Sequence, residues 1–197
     1  MATARPARRL SSEARHDQLA AIAQDVIARD GHAGFSLDEV ADRADVTRNL
    51  LYHYFPRGRL DLFLAAVHRG GAEITDGWVT DADLPLEQRV ASNFTRLVDH
   101  ARGPSPAWLV YRQARASAEP EIHEALAIYH DRIVSAVAQN HLGTPDPPPL
   151  VRIALLGYLA FAETVFDEMR ASGQPEAEVF PVLGRVLADV ISAAAGS

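Results

Sequence analysis

The chain has 197 residues and no cysteine among them. Disulfide staples, thiolate nucleophiles and zinc–thiolate sites are excluded with it. Lysine is absent too: all 19 basic residues other than histidine are arginines. No uninterrupted apolar run approaches the ~20 residues that span a bilayer. The arginine-rich start, "MATARPARRLSSEAR", has no apolar segment of signal-peptide type behind it. Alternating β-branched runs, the mark of half-buried strands, do not occur. Neither do the loops of common enzyme classes: there is no Gly-x-Ser-x-Gly elbow, no P-loop and no Gly-x-Gly-x-x-Gly. Helical di-iron enzymes need paired Glu-x-x-His motifs on facing helices, and one motif alone fits, Glu13-Ala14-Arg15-His16. His123 and His130 are seven residues apart with Asp131 beside them, too far along a helix to share one metal without other ligands. No catalytic residue, cofactor or metal is expected, and neither is a membrane partner. A cytoplasmic protein is the default.

What is present is material for helices. Apolar residues make up 48% of the chain, enough for a real core, and alanine and leucine recur at helical spacing. The reading is all-α with about nine helices. Residues 1–11 form a polar arm. A first helix covers 12–30, two short helices follow, and a longer one spans 59–76. Further helices run from Pro85 to Arg102, from the cap-then-proline pair Ser105-Pro106, and from Pro120 to His141. After the stiff "GTPDPPP" linker, a helix over 150–171 is apolar almost all round from Leu150 to Phe166, which implies burial on several sides. The last helix, 176–194, contains Pro181, so it either kinks there or starts later. The chain divides into 1–58 and a larger helical unit, 59–197.

Charge is unevenly distributed. The net charge is -7, yet residues 1–60 hold nine arginines against eight acids. A net-acidic protein still binds nucleic acid when its contact face is locally basic. In that region Ser36-Leu37-Asp38-Glu39 reads as a capping box, with Ser36 accepting from the Glu39 backbone and the Glu39 side chain reaching back. Asp45 sits where a tight turn wants a left-handed residue, and Thr47 caps the next helix. At 100° per residue, Leu51 and Phe55 point to the core and Asn49 and His53 point away. Arg48 and Tyr52 share one flank, Leu50 and Tyr54 the other. This is a helix-turn-helix whose second helix is shaped for the major groove. Arg48 suits a guanine edge, Asn49 an adenine edge, and Leu50 a thymine methyl. Ser36, Thr47, Tyr52 and Tyr54 suit phosphates. Arg57 and Arg59 follow where the chain leaves the groove, and Arg5, Arg8 and Arg9 on the arm suit an adjacent minor groove.

The stretch "GFSLDEVADRADVTRNLLYHYFPRGRLDLFLAAV" resembles the DNA-binding domain of the TetR family of bacterial transcriptional regulators. The match rests on the capped "SLDEVA", the A-x-V turn and the "LLYHYF" end of the recognition helix, over residues 12–67. Two departures stand out. Asp45 replaces the usual turn glycine. Where the family usually has a phosphate-contacting lysine, this chain has Gly58 or one extra residue, leaving Arg57 or Arg59 to take over. The resemblance implies a homodimer on a near-palindromic double-stranded operator, with release of DNA by a small molecule. The dimer interface is expected on the last two helices, Leu150 to Met169 and Val179 to Ile191. Trp108, Tyr111, Arg112, Tyr129 and Phe161 are the candidate ligand residues, with Tyr158, His123, His130 and Glu163 on the same helices. Two rivals are a helical protein-interaction module without DNA binding and a helical-bundle enzyme.

Overall fold

The computed structural model describes residues 10–102 and 105–196. The arginines of the arm, Arg5, Arg8 and Arg9, lie outside them. Nine helices and no strand are found among the described residues: α1 Ser12–Asp30, α2 Leu37–Arg43, α3 Arg48–Tyr54, α4 Arg59–Thr75, α5 Leu86–Arg102, α6 Pro106–Arg115, α7 Pro120–Leu142, α8 Pro149–Ser172 and α9 Glu176–Ala195.

The starts and stops follow local chemistry. Ser11 accepts a hydrogen bond from the Ala14 backbone at 3.1 Å and caps α1. Ser105 does the same for α6 through the Trp108 backbone at 3.2 Å, with Pro106 at the first helical position, where its missing N–H costs nothing. Helix α9 begins at Glu176 and runs through Pro181, which settles the alternative in favour of the earlier start.

Helices α1, α2 and α3 form a small headpiece, with α2 on both α1 and α3. Helix α4 packs on α1 on one side and on α6 and α7 on the other, and α8 and α9 form an extensive pair at the far end. One apolar core runs through all of this, from Leu19, Phe35 and Leu51 through Phe63 and Val67 to Trp108, Leu155 and Leu187. Close approach at α4 depends on glycine: a Cβ on Gly71 would lie 2.4 Å from the Tyr129 ring.

Two expectations about α8 need correction. It is long and apolar enough to cross a membrane by length and composition, although no unbroken apolar run was apparent. The reason is that few charges punctuate it, Arg152 and Glu163 among them, so a search for a continuous run stops short. Burial on several sides does not hold within one chain: Leu150, Ile153 and Phe161 are 50%, 66% and 42% exposed.

Candidate nucleic-acid interface

The headpiece builds its exposed face from the inside out. Leu51 and Phe55, at 0% and 2% exposure, anchor α3 in the core. Thr47, Arg48, Asn49, Tyr52 and His53 are consequently exposed on the opposite side, with Leu50 and Tyr54 half-buried on the flank. The Thr47 hydroxyl accepts from the Leu50 backbone at 3.3 Å and fixes where α3 begins. Asp45 has φ 52°, the left-handed turn conformation that its position required. Ser36 accepts from the Glu39 backbone at 3.4 Å. The second half of the capping box does not form. The Glu39 carboxylate takes the Arg29 guanidinium instead, at 2.6 and 2.7 Å, because a full ion pair outcompetes a neutral backbone N–H.

The arginines differ in how they are held. Arg48 donates to both Asp38 oxygens at 2.8 and 3.1 Å and lies 5.7 Å over the Tyr52 ring. Both partners are exposed, so the pair is weak and exchangeable. Arg57 pairs with Asp61 at 2.7 Å and with both Glu121 oxygens at 2.8 Å, which ties the exit of α3 to the start of α7. Arg59 turns inward: its guanidinium donates to the carbonyls of His32 and Phe35 and sits 4.3 Å over the Phe35 ring. Its donors therefore hold the α1–α2 loop, whereas the sequence offered it as a phosphate contact. Gly58 is buried with φ +61°, and a Cβ there would meet Tyr52 and Leu37 at 3.2 and 3.3 Å. A lysine does not fit at that point of the chain.

Behind the headpiece, Gln113 on α6 donates to the Ile27 carbonyl at 3.0 Å and accepts from the His32 backbone at 2.6 Å. The same helix carries Trp108 and Tyr111, which with Tyr129 and Glu163 line a cavity of about 20 Å³. A second cavity, of about 40 Å³, shares the walls Leu97, Ile133, Leu159 and Ala162 and extends to Trp78, Phe94, Asn140 and His141. Tyr111 donates to Glu163 and receives His130 at 2.8 Å, while Arg115 pairs with the other Glu163 oxygen. Burial raises the Glu163 carboxyl, with Tyr111 and Arg115 pulling it back, and burial also raises the Tyr111 hydroxyl. Burial holds His130 below the ordinary histidine value. Of the other candidate ligand residues, Arg112 is exposed and pairs with Asp167 at 3.3 Å. His123 reaches the Ser117 carbonyl at 2.7 Å. Phe161 stands apart, on the outer face of α8 beside Val165 and Met169. The sequence did not single out Asp38, Gln113, Glu121 or Arg89. The partners of Gln113, Glu121 and Arg89 lie 86, 64 and 51 residues away, and no local pattern marks such pairs.

The family model described as bacterial regulatory proteins of the tetR family matches residues 20–66. Similar solved structures extend the likeness beyond the headpiece. A tetR-family transcriptional regulator from Streptomyces coelicolor is 24% identical, with a TM-score of 0.77 over 95% of this chain and 84% of that one. A TetR-like transcriptional regulator from Rhodococcus sp. RHA1 is 21% identical, with a TM-score of 0.58 over 94% and 96%. The multidrug binding protein EbrR, solved with imidazole, is 19% identical, with a TM-score of 0.62 over 87% and 94%. At these identities the structural likeness is one of fold. Residues 20–66 thus match the headpiece of the tetR family of bacterial regulatory proteins, and the chain as a whole shares the fold of these solved proteins.

Proposed function

We propose that the chain is a ligand-responsive repressor that acts in the cytoplasm, binds a near-palindromic operator as a homodimer, and leaves it when a small molecule enters the body. The observation that carries this reading is the exposed run Thr47, Arg48, Asn49, Tyr52 and His53 set on the buried pair Leu51 and Phe55. Such a helix offers a forked cation and a primary amide to base edges, with hydroxyls at its rim for phosphates. Arg57 is the stronger candidate for the missing lysine's contact, since it is itself exposed and one of its two partners, Glu121, is an exposed acid. The exposed apolar side chains of α8 and α9, Leu150, Ile153, Phe161 and Val182, support pairing through those helices, because apolar patches of this kind mark association surfaces. A dimer doubles the contacts that one short helix makes and raises binding through effective concentration.

The body supports a binding role of a particular kind. Its two inner cavities, of about 20 and 40 Å³, are far smaller than the ~300–1,000 Å³ of a drug-sized site. An effector must therefore push helices apart to enter. Helix α6 is both a cavity wall and, through Gln113, a strut against the headpiece. Displacing it alters how α1 and the α1–α2 loop are held. That multidrug binding is known for a protein of this fold agrees with an adaptable body.

The test is an electrophoretic shift with the DNA upstream of the chain's own gene, followed by sequencing of fragments the protein selects from a random pool. A shift at low salt and a symmetric selected site are expected. No retardation at low salt would favour the rival reading of a protein-interaction module. Asn49→Ala should cost about 1–3 kcal/mol on the selected site and relax choice at one base pair. Uniform weakening on every sequence would remove Asn49 from base reading.

A further inference from the structure

The two cavities of the body have a shared chemistry that names a ligand class. Their walls are apolar and aromatic, and Glu163 is the only acid among them. That carboxylate is already occupied, accepting from Tyr111 and paired with Arg115. A cationic ligand thus finds no free counter-charge. The unfilled groups have the opposite sense. Arg89 on α5 makes one hydrogen bond, to the Asn140 amide oxygen at 3.2 Å, and no ion pair among the described residues. Its Nε is buried without a partner, and so is His141 Nε2. Asn140 and His141 both line the larger cavity, and Arg89 stands behind that wall, joined to it through the Asn140 amide. The other polar wall groups are committed: Asn93 exchanges hydrogen bonds with both Val79 backbone groups, and Asn140 donates to the Val79 carbonyl. The remaining orphan donor of the pair of cavities is Trp108 Nε1.

A half-buried guanidinium without a carboxylate is an open half of an ion pair, since buried charges are paired where stability alone decides. We propose that the effector is an amphipathic monocarboxylate, its head group held by Arg89 beside His141 and its apolar body lying between Phe94, Leu97, Val137 and Leu159. The proposal rests on reading the body as an effector-binding unit. Burial, and then the neighbouring Arg89, lower the His141 imidazole below the ordinary histidine value. The head group therefore meets one cation and one neutral donor, a setting suited to a single carboxylate and too weak for a dianion.

The chain's two tryptophans report on the cavities directly, because Trp78 lines the larger and Trp108 the smaller. Titration with decanoate, decanol and decylamine, followed by tryptophan emission in the absence of DNA, tests the proposal. Decanoate should bind at least about tenfold more tightly than decanol, the share of a charge-assisted hydrogen bond, and decylamine should bind weakest. Arg89→Gln should bring decanoate down to the affinity of decanol and leave decanol unchanged, while Arg89→Lys keeps part of the preference. Circular dichroism of both variants checks that the helices persist. Equal or tighter binding of decanol or decylamine overturns the proposal. So does an unchanged decanoate preference in a folded Arg89→Gln protein, or no binding of decanoate. With no DNA present, a negative result here leaves operator binding standing, and a failed DNA shift is separately visible.

Discussion

Helices α3 and α8 turn opposite faces to solvent. Helix α3 buries Leu51 and Phe55 and shows arginine, asparagine, tyrosine and histidine; α8 buries part of its apolar surface and still shows Leu150, Ile153 and Phe161. In α3 the exposed side is the one that sequence periodicity assigns to water. In α8 it is not, and that exposed apolar side is what supports the proposed pairing surface. The lesson is that exposure of polar groups marks a surface made for an aqueous, charged partner, and exposure of apolar groups marks one that is incomplete without another hydrocarbon surface.

Substitution at the two helices should therefore fail in different ways. Leu51→Ala deletes a fully buried side chain and should cost about 2–5 kcal/mol, read as a lower denaturant midpoint, with DNA retardation lost alongside folding. Ile153→Glu should leave helical content intact and halve the sedimenting mass, with DNA affinity falling because the half-sites are no longer linked. Wild-type sedimentation of Ile153→Glu would mean that α8 is not the pairing surface.

Acid should separate the regions further. Burial depresses the folded-state values of His32, His68, His130 and His141 below 6.5. Their contribution is present above that value and lost as pH falls through the depressed ones. Glu163 works in the other direction: its raised carboxyl contributes at low pH and loses that contribution as pH rises through the folded value. Two of the four histidines belong to α7, so the melting temperature should drop on acidification from about pH 7 to pH 5, and His130→Gln or His141→Gln should flatten the drop. An equal drop in both variants would place the acid sensitivity elsewhere.

The smallest effect concerns the strut between the regions. Glu121→Gln releases one of the two acids on Arg57. Exposed pairs contribute at most about 1 kcal/mol, so DNA binding should tighten only a few-fold. The salt dependence should steepen by up to about one phosphate's share. An unchanged slope would remove Arg57 from the phosphate contacts.

The helices were legible because their signals are local: Ser11, Ser105 and Thr47 cap the helices they precede, and Asp45 takes the turn conformation its place demanded. The exposed face of α3 was legible for the same reason, since Leu51 and Phe55 fix its rotation. What stayed hidden depends on residues far apart in the chain. Arg59 and the His32 carbonyl, Gln113 and Ile27, Arg89 and Asn140 are brought together by packing alone. The apolar length of α8 was legible too, but periodicity counts apolar residues and does not say which of them the rest of the chain covers, so the exposure of Leu150, Ile153 and Phe161 was not.

The core that passes through α4 bears on how the molecule comes apart. The headpiece borrows Leu62, Phe63, Ala66 and Val67 from a helix that also carries the body, and His32 stacks on Phe63 at 4.0 Å. A fragment cut at residue 58 would leave Leu19, Ile27 and Phe35 facing water on that side. The reading head and its sensor should therefore melt in one transition, and a change in how tightly the body is packed is felt by the headpiece as a change in its own stability.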